Sequence, residues 1–409
     1  MQTPRSDRDL SLVRMLNPEN LEDPHTIYRE LREHASVHWD PYLHAWVVTS
    51  YSEAVDVLTH YSADRTPRRE YLDKHGLSFL WPFAEMMMQQ MMFMDGARHA
   101  LLRGICSAAF TPSKVSELRN QIEAIANGLV DRVAESGRID MIADFANRLP
   151  AIVTAKLLGV PCDDHVQLHA WVLDLAEVLG NYRHDPDRIR SIMNSYQDLR
   201  CYLADQMKLQ RVHPNGGLIH ALMTAEVDGH RLSDEEVLAN TIITLIGGHE
   251  TTTNLIASGF LTLLRNPDSL LLLRQNPDVL APAVEELLRY ESPVQHTARI
   301  APADVRLAGK EIQKGARVVV VLAAANRDPA RFPEPDVLDL RRKDNRHLAF
   351  GWASHFCFGA ALARMEAQIA FGVLLRRLSN PQLAAPRLQW RKNAGLRGLT
   401  ALPIAFDVS

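Results

Sequence analysis

The segment Leu232–Arg265, LSDEEVLANTIITLIGGHETTTNLIASGFLTLLR, constrains the fold more than any other stretch of the chain. It opens like a helix, with Ser233 as N-cap and Glu236 three residues on to return the bond. Beyond Glu236 it stays apolar on nearly every face. A surface helix keeps one polar face, so a helix of this length and character has to run through the middle of the protein. Other segments must then surround it, and most carry apolar residues at helical spacing: about 24–34, 112–135, 141–159, 163–180, 187–210, 279–290 and a last long one from 358 to 378. The first of these begins with Asp23-Pro24, a helix-start signal. HAWVVTS (44–50) reads as a strand, short strands follow around 305–324, and the C-terminal tail reads as strands and turns. HPNGG (213–217) is a turn, and 327–346 is irregular, rich in Pro and charge. The expected fold is mainly α with a minor β region.

Length alone would allow two or three domains at roughly 150 residues each. No Gly/Ser linker, low-complexity tract or internal repeat divides the chain, so 1–409 is read as one domain. The 45 basic and 49 acidic residues leave a formal charge of -4, which argues against nucleic-acid binding as a bulk property. Cys106, Cys162, Cys201 and Cys357 are widely spaced without a CxxC, which excludes a disulfide scaffold or zinc ribbon and fits a reducing cytosol. The N-terminal stretch is polar and has no apolar signal core. The longest clean apolar run, Val318–Ala325, is far short of the ~20 residues that span a bilayer. A soluble cytoplasmic protein is expected.

Two segments carry chemistry. In Phe350-Gly-Trp-Ala-Ser-His-Phe-Cys-Phe-Gly359 one cysteine sits among aromatics and glycines, ahead of the helix AALARMEAQIAFGVLLRRL. A sulfur at a helix N-terminus faces unpaired N–H groups and the positive end of the dipole, which favours thiolate and predicts a lowered pKa. Three roles are open to Cys357: a buried structural thiol, a nucleophile with His355 as base, or a thiolate ligand to haem iron with the aromatics against the macrocycle. In the long apolar segment, Gly247-Gly-His-Glu-Thr-Thr252 places two glycines and β-branched residues where they weaken a helix. Thr251 can bond a carbonyl one turn back and open it. A kinked core helix accounts for that much, but not for His249 and Glu250, since burying a charge is costly.

The cysteine segment resembles the haem-binding loop of the cytochrome P-450 family, Phe-Gly-x-Gly-x-His-x-Cys-x-Gly. Phe350, Gly351, His355, Cys357 and Gly359 match, and Ala353 replaces the second glycine. The resemblance extends along roughly residues 95–360. Gly247–Thr252 is similar to the family's distal helix motif, Glu286-Leu-Leu-Arg289 to its Glu-x-x-Arg, and His99-Ala-Leu-Leu-Arg103 to its His-x-x-x-Arg. It implies a P-450-like single-domain fold with the long helix over haem b. Cys357 would ligate the iron. His99, Arg103, Arg299 and His355 would bind the two propionates, with Phe350, Gly248 and Gly359 against the cofactor. Thr251 and Glu250 would deliver protons to the distal oxygen. Glu286, Arg289 and Arg342 would form a structural clamp, with Arg341 adjacent.

The methionine-rich stretch Phe79–Met94, with Met86, Met87, Met88, Met91, Met92 and Met94, falls where the family has its variable roof, and methionine makes adaptable apolar surface. Met92, Phe93, Ile243, Gly247, Val294, Gln295 and Leu399 are the implied substrate contacts. The implied activity is a haem-thiolate monooxygenase. It would insert one atom of dioxygen into a lipophilic small molecule, such as a polyketide or related natural product. Electrons would come from a separate iron–sulfur ferredoxin and reductase docking near Arg103, Arg341, Lys343 and Arg364. A non-catalytic haem protein, a peroxide-driven enzyme and a cysteine hydrolase are the competing readings. No nucleic-acid partner and no membrane span are expected.

Overall fold

A computed structural model describes residues 10–180 and 186–408. At its centre is the helix Asp234–Arg265, unbroken over 32 residues. Its N-terminus carries the expected capping box: the Glu236 N–H donates to Ser233 Oγ at 3.2 Å and the Ser233 N–H to Glu236 Oε2 at 2.9 Å. Three acids in the first turn and Arg265 in the last oppose the helix dipole. The opening expected at Gly247–Thr252 does not occur. Thr251 Oγ1 does donate to Gly247 O (2.6 Å), but the bond lies along a continuous helix. Thr253 Oγ1, by contrast, donates out to Ala146 O (2.9 Å). Packing on the covered faces overrides the weak local propensity.

Around this axis lie the helices Arg148–Leu158, His165–Gly180, Leu280–Tyr290 and Ala360–Arg377. A Cβ added at Gly259 would come within 2.7 Å of the Phe371 ring, so the central helix and the helix after the cysteine approach through that glycine. Filling it would cost ~1–3 kcal/mol by overpacking. Some expected segments are subdivided. The stretch 112–135 breaks at Leu118 into Pro112–Glu117 and Arg119–Asp131, and 141–159 opens with a π-helical turn, Met141–Ala146. Within 305–324, Leu322–Ala325 is a helical turn, not strand. An all-apolar run shows no period, and three alanines favour the helix.

A four-stranded sheet runs Val37–Asp40, Ala45–Val48, Arg317–Val320, Thr297–Ile300, with only the middle pair parallel. Ser62 bridges Ile300 at its edge, so the loop after helix Tyr51–His60 is fixed beside the strand carrying Arg299. A second sheet joins Ser379–Leu383, Pro403–Asp407 and Arg138–Asp140. Among the described residues no helix is long and apolar enough to cross a membrane.

Candidate active site

The cysteine loop is a tight backbone construction. Leu348 O accepts from the Gly351 N–H (2.9 Å), Phe350 O from the Cys357 N–H (2.7 Å), and Ala353 O from the Phe356 N–H (3.1 Å). Two residues are left-handed: Gly351 at φ 72° and Ala353 at φ 55°. The methyl at Ala353 therefore sits where glycine is the unstrained choice. Gly359 precedes the helix Ala360–Arg377, and its N–H bonds the Cys357 sulfur. The expected fall in thiol pKa is not found. Burial pushes the Cys357 thiol up, outweighing the Gly359 N–H, Arg103 and Arg364, which all lower it. The helix end alone does not make the thiolate; a metal ion on the sulfur would.

Behind the loop, Glu286 and Arg289 are wholly buried and doubly bonded, Nε to Oε2 and Nη2 to Oε1, both at 2.8 Å. Arg342 Nε lies 3.2 Å from Glu286 Oε2, and Asn345 Nδ2 and the Asp339 N–H complete the carboxylate's shell. Arg289 Nη1 reaches Asn326 O and Pro335 O. Arg342, not the exposed Arg341, is the third member. A second proximal knot holds Arg364: both of its bonds, at 2.7 Å, go to Glu285, which also pairs with His347, and its guanidinium lies 4.5 Å from the Phe350 ring centroid. Arg103 donates to Phe356 O at 2.8 Å. Of the four expected docking cations, these two are thus engaged within the protein, and Arg341 and Lys343 stand exposed.

Above the loop, basic groups gather with few acids. His99 and His355 stack at 4.2 Å, and His355 Nε2 is 3.4 Å from Asp95. Burial, then His99 and Arg299, drops the His355 pKa to about 4. Arg299 is buried, its pKa pushed down to about 10 by burial, and its Nε has no partner; His99 Nε2 is likewise buried and unbonded. Buried donors without acceptors are costly. A ligand carrying carboxylates removes that cost, so these residues fit the propionates of haem.

On the distal side, the buried central helix shows one uncovered stripe: Ile243, Thr244, Gly247, Gly248 and Thr251. Positions 243, 247 and 251 repeat every four residues and share a face. An added Cβ at Gly247 would meet nothing within 4 Å. One at Gly248 would meet Thr154 Oγ1 at 3.4 Å, so Gly247, not Gly248, is the position that faces open space. Glu250 is buried, its Oε1 taking Arg391 Nη1 (2.6 Å) and Asn254 Nδ2 (3.1 Å), while Oε2 has no partner among the described residues. His249 has a different explanation. Its Nε2 lies 2.9 Å from His169 Nδ1 and 3.1 Å from Asn147 O. Burial holds its pKa at about 3 and that of His169 at about 4, so the pair is neutral and structural.

The substrate candidates divide. Ile243, Val294 and Met92 are half-buried and Gly247 is open. Phe93 is buried under the Arg65 guanidinium, 4.4 Å from its ring centroid. Leu399 is fully buried and bridges Trp390. Gln295 is fully buried, with Oε1 accepting from Tyr28 Oη (3.0 Å) and Nε2 donating to Ser292 O (2.5 Å), so its amide is engaged inside the protein. The methionine stretch is mostly helical, as Trp81–Met88 and a turn at Met91–Phe93. It is tied to the central helix: Gln90 Nε2 donates to Ala239 O and the Met91 N–H to Asn240 Oδ1. Met86, Met91 and Met94 are buried; Met87, Met88 and Met92 are half-buried. Sequence reasoning gave no role to Arg65 or Arg391. Arg65 lies in a polar run that resembles a solvated loop, and Arg391 meets Glu250 from 141 positions away.

The comparisons with known proteins agree on one family. The family model for cytochrome P-450 matches residues 44–381. The biotin biosynthesis cytochrome P-450 of Bacillus subtilis is 36% identical over 95% of this chain and 98% of its own length. The polyketide biosynthesis cytochrome P-450 PksS of the same organism is 36% identical over 89% of each chain. The crystal structure of P-450BioI in complex with hexadec-9Z-enoic acid ligated acyl carrier protein superposes with a TM-score of 0.89, at 34% identity over 95% of this chain and 99% of that one.

Proposed function

This chain belongs to the cytochrome P-450 family, whose members are haem b monooxygenases, and we propose that it inserts one atom of dioxygen into a lipophilic natural product such as a polyketide. Electrons come from a separate ferredoxin and reductase in the cytoplasm. The observation that carries the reading is the uncovered stripe on an otherwise buried helix, with Thr251 and Glu250 at its end. When bound, haem supplies dioxygen activation and transfer of the oxygen atom.

The chain's own residues do the rest. Cys357 Sγ would hold the haem iron, steadied by the Gly359 N–H. Arg299, His99 and His355 hold the two carboxylates. Gly247 leaves clearance for a small ligand. Glu250 holds a proton-accepting oxygen, Oε2, beside Thr251, whose hydroxyl proton rests on Gly247 O. The half-buried methionines and Ile243 exclude water and shape an apolar, adaptable roof. Arg341 and Lys343 are the cations left for an acidic ferredoxin. Substrate class follows from the relatives: one is named for polyketide biosynthesis, and another was solved with a fatty acyl chain on its carrier protein.

The test is turnover with a surrogate ferredoxin and reductase, under isotopically labelled dioxygen, against lipophilic polyketides and acyl chains. One labelled atom should enter the product. The reduced, CO-bound protein should show a strongly red-shifted Soret band that Cys357→Ala abolishes. A thiolate-type CO spectrum surviving in that variant overturns the ligand, and a haem protein that never oxidises any of the panel overturns the activity.

A further inference from the structure

Arg65 is the cation the motifs do not account for. It follows the Ser62–Ile300 bridge, so its loop is fixed beside the strand carrying Arg299. The guanidinium is half-buried, and of its five N–H donors one reaches an acceptor, Ala63 O at 3.1 Å. No salt bridge to Arg65 is present among the described residues. Burial lowers its pKa to about 9, and repulsion from Arg299 and Arg317 adds to that; only Asp95 pulls the other way. Asp95 is itself engaged, taking Ser62 Oγ, the Ala63 N–H and His355. Two guanidiniums thus share a pocket with one occupied carboxylate, an arrangement that costs free energy unless a further anion joins.

The other face of Arg65 covers the Phe93 ring. Phe93 ends the methionine-rich roof. The near end of that roof is fastened to the central helix through Gln90, Met91 and Asn240, and its far end runs through Asp95 into Gly96–Ala109, the helix of His99. Phe93 is therefore held from the outside by Arg65.

We propose that Arg65 joins the cofactor's carboxylates to the substrate roof, giving hydrogen bonds to a haem propionate while its plane holds the Phe93 ring. The inference rests on the haem reading above. Loading the cofactor then orders the roof, and the order of the roof depends on a positioning residue that touches no reacting atom.

Two readouts independent of turnover test this in the haem-loaded protein: the rate of haem loss to excess apomyoglobin, and amide hydrogen exchange across residues 91–94. Arg65→Gln should release haem about tenfold faster or more, as expected for a lost charge-assisted hydrogen bond, and Arg65→Lys should recover part of the loss. Exchange at 91–94 should quicken about threefold or more in both Arg65→Gln and Phe93→Leu, with the double variant no faster than the larger single. Lys74→Gln, an exposed change at the end of the following helix, should alter neither readout. Haem loss at the wild-type rate in Arg65→Gln overturns the carboxylate contact, and additive exchange effects overturn the joint. A wild-type protein that binds no haem would instead remove the function proposed above.

Discussion

The two sides of the proposed haem pocket are built on opposite rules. On the proximal side two carboxylates carry full sets of partners: buried Glu286 accepts from Arg289, Arg342, Asn345 and the Asp339 N–H, and half-buried Glu285 accepts from Arg364 and His347. On the distal side groups are left incomplete. Glu250 Oε2 is buried and unpaired, Gly247 faces empty space, and the Thr251 hydroxyl leans on its own helix. A fully satisfied network rigidifies, whereas an incomplete one retains groups able to accept or pass a proton. On the function proposed above, the proximal side would hold the cofactor and the distal side would react.

The largest effect should come from opening the proximal side. Glu286→Ala leaves Arg289 buried without its anion and Arg342 without its partner. Breaking a buried pair costs ~3–5 kcal/mol. The expected outcome is little folded protein and little retained haem, read by chemical denaturation and haem content. Near-normal stability would show that the partners, not the ion pair, hold the loop. Next comes the distal side. Thr251→Ala should leave haem content and urea midpoint almost unchanged while product formation falls by ~10²–10⁴ where proton transfer limits. Reducing equivalents should then appear as hydrogen peroxide. Equal product per NAD(P)H in the variant and the wild type would place Thr251 among packing residues. Arg391→Gln probes the same side from outside: it leaves Glu250 Oε1 with Asn254 alone, so it should slow turnover without altering the CO spectrum.

Acid separates the two sides as well. His249 has a folded pKa of about 3 against about 6.5 unfolded. Below pH 6.5 the unfolded chain takes a proton the folded one refuses, so stability falls as pH drops from 6.5, by up to ~1.4 kcal/mol per pH unit. Glu285 has the opposite history. Despite its burial, Arg364 and His347 lower its pKa to about 2, so its contribution is full above about pH 4.5 and is lost only between there and about 2. Acid should therefore act through buried histidines such as His249 before it reaches Glu285. The gap in urea midpoint between wild type and His249→Asn should narrow from about pH 7 to about pH 5; parallel curves would deny the histidine its role. The smallest effect is at the seam. Ala353→Gly should relieve the left-handed residue and stabilise the loop by at most ~1 kcal/mol, seen as a higher melting temperature with an unchanged CO spectrum.

What was legible in the sequence was local. Asp23-Pro24 and Ser233…Glu236 mark helix starts within a residue or two because caps are short-range devices. Glu286 and Arg289 pair because i and i+3 share a face. Long-range partnership was not legible. Gln295 carries the same residue type whether it faces a substrate or bonds Tyr28 from 267 positions away. His249 looked like an unexplained polar group until His169 met it across two helices. The angle at Ala353 and the upward pull on the Cys357 thiol depend on how the loop closes and how deeply it is buried.

The reach of Arg391 back to Glu250 sets an order of events during synthesis. The ribosome delivers the chain from the N-terminus, and folding proceeds as segments emerge. By the end of Ala360–Arg377 every member of the proximal network, and the cysteine itself, has been made. Arg391, the cationic partner of the distal carboxylate, has not. Gly398, which packs so closely on Asn254 that an added Cβ would lie 2.0 Å from its Oδ1, comes later still. A nascent chain can thus assemble the proximal network before the cation that meets Glu250 has been made.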